Sequence, residues 1–184
     1  MSDVNLPPLP PVGGQISGRS VVDVLTEQHS ELLSLTERLA DPRVRSVLVA
    51  TVSRHLSAEE QYLHPAIRQA VPDGDRIADR ELAEDRELLK LLVAEDWEQI
   101  VEGVRRHVAA DAGELFPLLE QMVPADDMIR LGNRVETAAE SAPTRPHPGT
   151  PVTPPWNKVV DPLVGAVDKV RDVVTARTTY ARDL

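Results

Sequence analysis

The chain has 184 residues, no cysteine, and thirty acidic residues against twenty basic ones, for a formal charge of −10. The missing cysteines exclude a disulfide framework, thiolate-bound zinc and iron–sulfur clusters. The acidic balance opposes phosphate backbones and anionic headgroups, so neither nucleic acid nor membrane insertion is expected. No apolar run approaches the length of a membrane span, and the N-terminus lacks the basic-then-apolar layout of a leader, so a cytoplasmic protein is expected. Aromatic residues make up 3% of the chain while Leu, Val and Ala abound, which favours a helical core over a sandwich.

Residues 1–19 carry Pro7, Pro8, Pro10, Pro11, Gly13 and Gly14 and read as a disordered arm. A helical period then runs from about Ser20 to Ala40, with Val21, Val22, Leu25, His29, Leu32, Leu33, Thr36 and Leu39 on one face. Asp41-Pro42 reads as an N-cap followed by Pro at the first helical position. The second helix continues to about Ala70 with Val44, Val47, Leu48, Thr51, Val52, His55, Glu59, Tyr62, Leu63 and Ala66 inward, up to the turn Val71-Pro72-Asp73-Gly74. A third helix is expected over Asp75 to Ala94, with Ile77, Ala78, Leu82, Asp85, Leu88, Leu89 and Leu92 inward. The fourth starts at Asp96 and carries Trp97, Ile100, Val101, Val104, His107, Val108, Asp111, Leu115, Leu118 and Met122 on its stripe. A short fifth helix follows over Asp126 to about Ala139, so residues 20–140 form the expected domain. Residues 141–156 read as a Pro-rich linker and 157–184 as a C-terminal amphipathic helix using Val159, Val160, Leu163, Val164, Val167, Val170 and Val174. Short connections between four long helices predict an all-α, up-down-up-down four-helix bundle.

The two halves of this domain repeat. His55-Leu-Ser-Ala-Glu-Glu-Gln-Tyr-Leu-His-Pro65 aligns with His107-Val-Ala-Ala-Asp-Ala-Gly-Glu-Leu-Phe-Pro117, and Gln28-His-Ser-Glu-Leu-Leu-Ser-Leu35 with Glu84-Asp-Arg-Glu-Leu-Leu-Lys-Leu91. Each half is thus a helix bearing one metal-capable residue, His29 or Asp85, followed by a helix bearing His-x-x-x-acid. Four residues advance a helix by about 400°, so His55 and Glu59 share a face, as do His107 and Asp111. All lie on apolar stripes, where a buried carboxylate or imidazole is costly unless paired or coordinated. Two metal ions would neutralise the group, and nitrogen with carboxylate oxygen suits iron, manganese or zinc.

The candidate ligands are therefore His29, His55, Glu59, Asp85, His107 and Asp111. The plainer reading of each histidine alone is a hydrogen-bonded core residue, and of Asp85 a surface carboxylate paired with Arg86 or Lys90. Tyr62 and Glu114, three residues past the two acids, are further ligands or outer neighbours, as is Glu81, one turn before Asp85. His64 stands about half a turn from His55 and is expected to point away from the site. His147 is expected in solvent. Pro65 and Pro117 are read as bending or ending their helices.

At these residues the chain resembles the hemerythrin HHE family, whose pattern is a lone His, His-x-x-x-Glu, a second lone His and a second His-x-x-x-Glu. His29, His55 with Glu59, and His107 with Asp111 match three of the four elements, the last with Asp for Glu, across roughly residues 20–123. Asp85 departs, standing where the family has His. The resemblance implies a hemerythrin-like bundle, two iron ions and a small diatomic or peroxide ligand, with peroxide disproportionation as the activity suggested by actinobacterial members. A metal- or oxygen-sensing module, an iron reservoir, and a structural bundle with a degenerate site are the alternatives.

Overall fold

The computed structural model describes residues 16–148, 164–169, 171–173 and 175–184. Among them the regular structure is helical throughout, with no strand. Helix α1 spans Val21–Thr36; a capping box starts it, with Ser20 accepting from the Asp23 N–H and Asp23 accepting from the Ser20 backbone. Helix α2, Pro42–Ala58, begins on the Asp41 cap, which accepts from Arg43 N at 2.8 Å. It runs without interruption through a π-helical turn, Glu59–Leu63, into α3, His64–Ala70. Helix α4 spans Gly74–Ala94 and α5 Trp97–Ala110; α5 continues through a second π turn, Asp111–Leu115, into α6, Phe116–Met122. Helix α7, Ala125–Ser141, is longer than the expected fifth helix and packs against both α1 and α2.

The core falls into two apolar clusters. One holds Val21, Val24 and Leu25 from the start of α1 with Leu63, Ile67, Ile77, Leu115, Leu119 and the buried side of α7. The other holds Leu32 and Leu35 from the end of α1 with Val44, Leu48, Val52, Leu88, Leu92, Ile100 and Val104. In chain order α1 passes from the first cluster to the second, α2–α3 from the second to the first, α4 back to the second, and α5–α6 back to the first. The expected ligands sit where each rod crosses between the clusters.

The π turns change which residues face inward. In each, the N–H after the turn bonds five residues back, His64 to Glu59 O and Phe116 to Asp111 O. The wider loop absorbs one extra residue, so everything beyond it lags by about one helical step, roughly 100°. Proline follows directly in both cases, where it lacks an N–H and its ring needs the room a wider turn gives. The two prolines therefore do not end their rods. Beyond the turns the inward set is Leu63, His64, Ala66 and Ile67 in one rod and Phe116, Leu119 and Val123 in the other. Expected inward residues Tyr62 and Leu118 become half-buried, and Met122 is 40% exposed.

The C-terminal residues also differ from expectation. Helical residues 164–169 and 171–173 turn Gly165, Asp168 and Asp172 inward, while Val167 is 67% exposed. Asp168 accepts from the N–H groups of Thr144 and Arg145 and pairs with His147 Nε2 at 3.0 Å, so His147 is not simply solvated. Asp172 holds Thr144 Oγ1, Arg145 and Arg177. The buried groups opposite this segment are donors, and they select carboxylates over valines. Val159, Val160, Leu163, Val170 and Val174, residues 1–15 of the expected 1–19 arm, and residues 149–156 of the expected linker lie outside the described residues.

At Gly132 of α7 a Cβ would run into the backbone oxygen of Arg19, just before α1. Gly132→Ala should destabilise the protein by about 1–3 kcal/mol through overpacking. Urea unfolding followed by circular dichroism would measure this; an unchanged midpoint would mean that α1 and α7 can separate freely there.

Candidate metal centre

Five buried side chains meet between the apolar clusters: His29, His55, Glu59, His107 and Asp111, with one donor atom of each within 4.8 Å of all the others. Helix α1 contributes His29. His55 and Glu59 come from the junction of α2 with the first π turn, and His107 and Asp111 from the equivalent junction after α5. His55 Nε2 lies 3.1 Å from His29 Nε2 and 2.9 Å from His107 Nε2. Glu59 Oε1 is 3.2 Å from His55 Nε2, Glu59 Oε2 is 3.4 Å from His107 Nε2, and Asp111 Oδ2 is 3.4 Å from His29 Nε2.

The outer ring nitrogens fix how these imidazoles present themselves. His55 Nδ1 donates to Gln28 Oε1 at 2.7 Å, and His107 Nδ1 to Asp85 Oδ1 at 3.2 Å. With those protons placed outward, the inner Nε2 atoms of neutral His55 and His107 would face each other lone pair to lone pair. Contact at 2.9 Å then requires a cation between them or a second proton on one ring. Neither oxygen of Glu59 accepts a hydrogen bond, nor does Asp111 Oδ2, although all are buried. Native proteins seldom leave such atoms unsatisfied, and a metal ion satisfies all of them. Donors adjacent around an ion at about 2.1 Å stand about 3 Å apart in octahedral geometry, close to the shortest spacings here. The residues therefore fit a metal.

The charge distribution agrees. Burial and the neighbouring imidazoles hold His55 well below the usual histidine range, and burial lowers His29. Burial would lower His107 too, but Asp111 and Asp85 outweigh it and raise it to about 9. Burial, with Asp111 and Asp85 nearby, pushes Glu59 well above the carboxylate range. Burial would also raise Asp85, yet hydrogen bonds from His107 and His64 bring it down to about 2. Burial thus favours the proton on Glu59, and the flanking carboxylates favour the proton on His107.

Asp85 is 5% exposed and pairs with neither Arg86 nor Lys90; its second oxygen meets His64 Nε2 at 3.1 Å. His64 is 2% exposed and turned toward the centre, contrary to the half-turn expectation. One residue taken up in the π turn leaves it roughly 80° from His55 instead of about 180°. Sequence reasoning missed this contact and that of Gln28; a proline within an uninterrupted helical period, at matching places in both halves, was the available signal. Glu59, His64 and Asp85 form a second donor group sharing Glu59 with the first. Glu81 and Glu114 both pair with Arg80 at 2.6 Å, and Tyr62 lies under Arg134, so none of the three belongs to either group. On the other side Phe116 stacks on His29 with centroids 5.5 Å apart.

In sequence the chain is similar to a hemerythrin-like protein. That relative, an uncharacterized protein of Schizosaccharomyces pombe, is 19% identical over 163 residues, which cover 82% of this chain and 80% of the yeast protein. No family model and no solved structure matches the chain. The hemerythrin-like similarity and the buried His, Glu and Asp cluster agree on metal binding.

His107 is raised above its unfolded value near 6.5, so its contribution to metal-free stability is complete below pH 6.5 and lost as pH rises through about 9. Glu59, also raised, acts in the same direction. The thermal midpoint of metal-free protein should therefore fall between pH 6.5 and 9, and His107→Gln should flatten the fall. A midpoint constant across that window would show that His107 is neutral in the folded chain.

Proposed function

We propose that the protein is a hemerythrin-like, up-down-up-down four-helix bundle that holds two iron ions and reacts with a small oxidant, with peroxide disproportionation as the leading activity. The alternating passage of the rods between the two apolar clusters supports the topology. The observation that carries the metal reading is the facing Nε2 atoms of His55 and His107 beside the unsatisfied oxygens of Glu59. Three nitrogens and two carboxylates suit iron, with manganese and zinc as competitors.

When bound, iron supplies one-electron chemistry to the oxidant. The chain positions and shields it. Gln28 and Asp85 hold His55 and His107 with Nε2 inward. Phe116 against His29 and the two apolar layers limit water. A cavity of about 430 Å³ lined by Gln28, His55, Arg54 and Tyr180 gives a diatomic molecule or peroxide an approach from the surface. Disproportionation balances without another reactant: one peroxide is oxidised to oxygen and releases two protons and two electrons, which reduce the second to two waters.

Iron-loaded protein should release oxygen from hydrogen peroxide, measured with an oxygen electrode, and His55→Ala should fall to the rate of an equal amount of free iron. Equal rates in both proteins would leave metal storage or sensing as the function. Gln28→Leu, which frees the outer nitrogen of His55, should weaken metal affinity by roughly 10–100-fold in competition with a chelator. An unchanged affinity would remove Gln28 from the centre.

A further inference from the structure

We propose that Glu59, His64 and Asp85 hold the second metal ion, with His64 supplying the nitrogen donor that position 85 lacks; this rests on the metal-binding reading above. The internal repeat sets His29 against Asp85 and Phe116 against His64. In space the pairs cross: Phe116 stacks on His29, and His64 meets Asp85. On one side the lone helix position offers an imidazole and the residue before proline is an apolar wall. On the other side those roles are exchanged, with the carboxylate on the lone position and the imidazole before proline. The nitrogen has moved across the interface between rods, and the site keeps it.

Three observations point to a ligand rather than a plain ion pair. One donor atom from each of the three residues lies within 4.8 Å of the others. His64 Nε2 and Asp85 Oδ2 stand 3.1 Å apart, the spacing of adjacent donors on one ion. Both oxygens of Glu59, which this donor group shares, are buried without a hydrogen-bond partner, a state that burial disfavours unless a cation completes it. Asp85 then serves both positions, one oxygen orienting His107 and the other turned to the second ion, while Glu59 belongs to both donor groups. The π turn makes this possible, because without its extra residue His64 would lie on the outer face of its rod.

The test uses the full-length chain and zinc, which is diamagnetic. Metal per chain is measured after desalting, and ring nitrogens are followed by NMR with 15N-labelled histidine. Two zinc ions should bind, and a His64 ring nitrogen should shift together with those of His29, His55 and His107, while His147 serves as an unaffected reference. His64→Phe, which installs the residue found at position 116, should reduce the content to one ion. Shifts at His29, His55 and His107 with His64 unmoved would overturn the proposal and leave the metal reading standing. Two ions retained in His64→Phe would likewise overturn it. No zinc and no shift at any histidine would remove both readings. Should His64→Phe fail to fold, the wild-type spectrum decides.

Discussion

The interaction on which this structure depends is the mutual neutralisation of imidazoles and carboxylates buried between two apolar layers. Each group alone would cost several kcal/mol to remove from water. Together they tolerate burial only where the spacing of all four rods is kept, so the polar layer fixes the register of each rod against its neighbours. The apolar clusters on either side supply the burial that drives folding. They cannot specify that register alone, since Leu and Val accept many nearby arrangements.

The division of labour extends outward. Gln28 and Asp85 do not need to touch a metal to matter, because each decides which nitrogen of a histidine points inward. Arg54 is a buried cation at the cavity wall, donating to Thr179 O at 2.7 Å and lying 4.4 Å from the Tyr180 ring centroid. The C-terminal segment thereby lines the same cavity that His55 borders. At the other end of that segment Asp168 and Asp172 gather the donors of Thr144, Arg145 and Arg177.

Much of this was legible in the sequence. The cap at Asp41 and the start at Asp96 were legible because their side-chain oxygens have a fixed local task, whereas the capping box at Ser20 emerged only in the structure. His29, His55, Glu59, Asp85, His107 and Asp111 stood out because polar residues at apolar positions need partners, and the structure buries all six together. A strict α-helical period misplaced what followed the two π turns: Tyr62, His64, Leu118 and Met122 are each wrong by about one step, in the same sense. The C-terminal helical residues misled for another reason. Their valines suggested an apolar contact, but Val167 is exposed while Asp168 and Asp172 turn inward to donors, and a partner's polarity cannot be read from one helix alone.

The π turns also bear on how such a site can be altered. A single inserted residue, relaxed into a wide turn, leaves the upstream part of the rod and its core untouched and rotates everything downstream at once. One insertion event can thus replace an entire set of inward side chains without a series of point substitutions, each of which would have to survive in a half-changed core. The matching turns give both halves the same frame, and the exchanged donor and wall residues differ within it. The two halves thus share a frame and differ in what that frame presents.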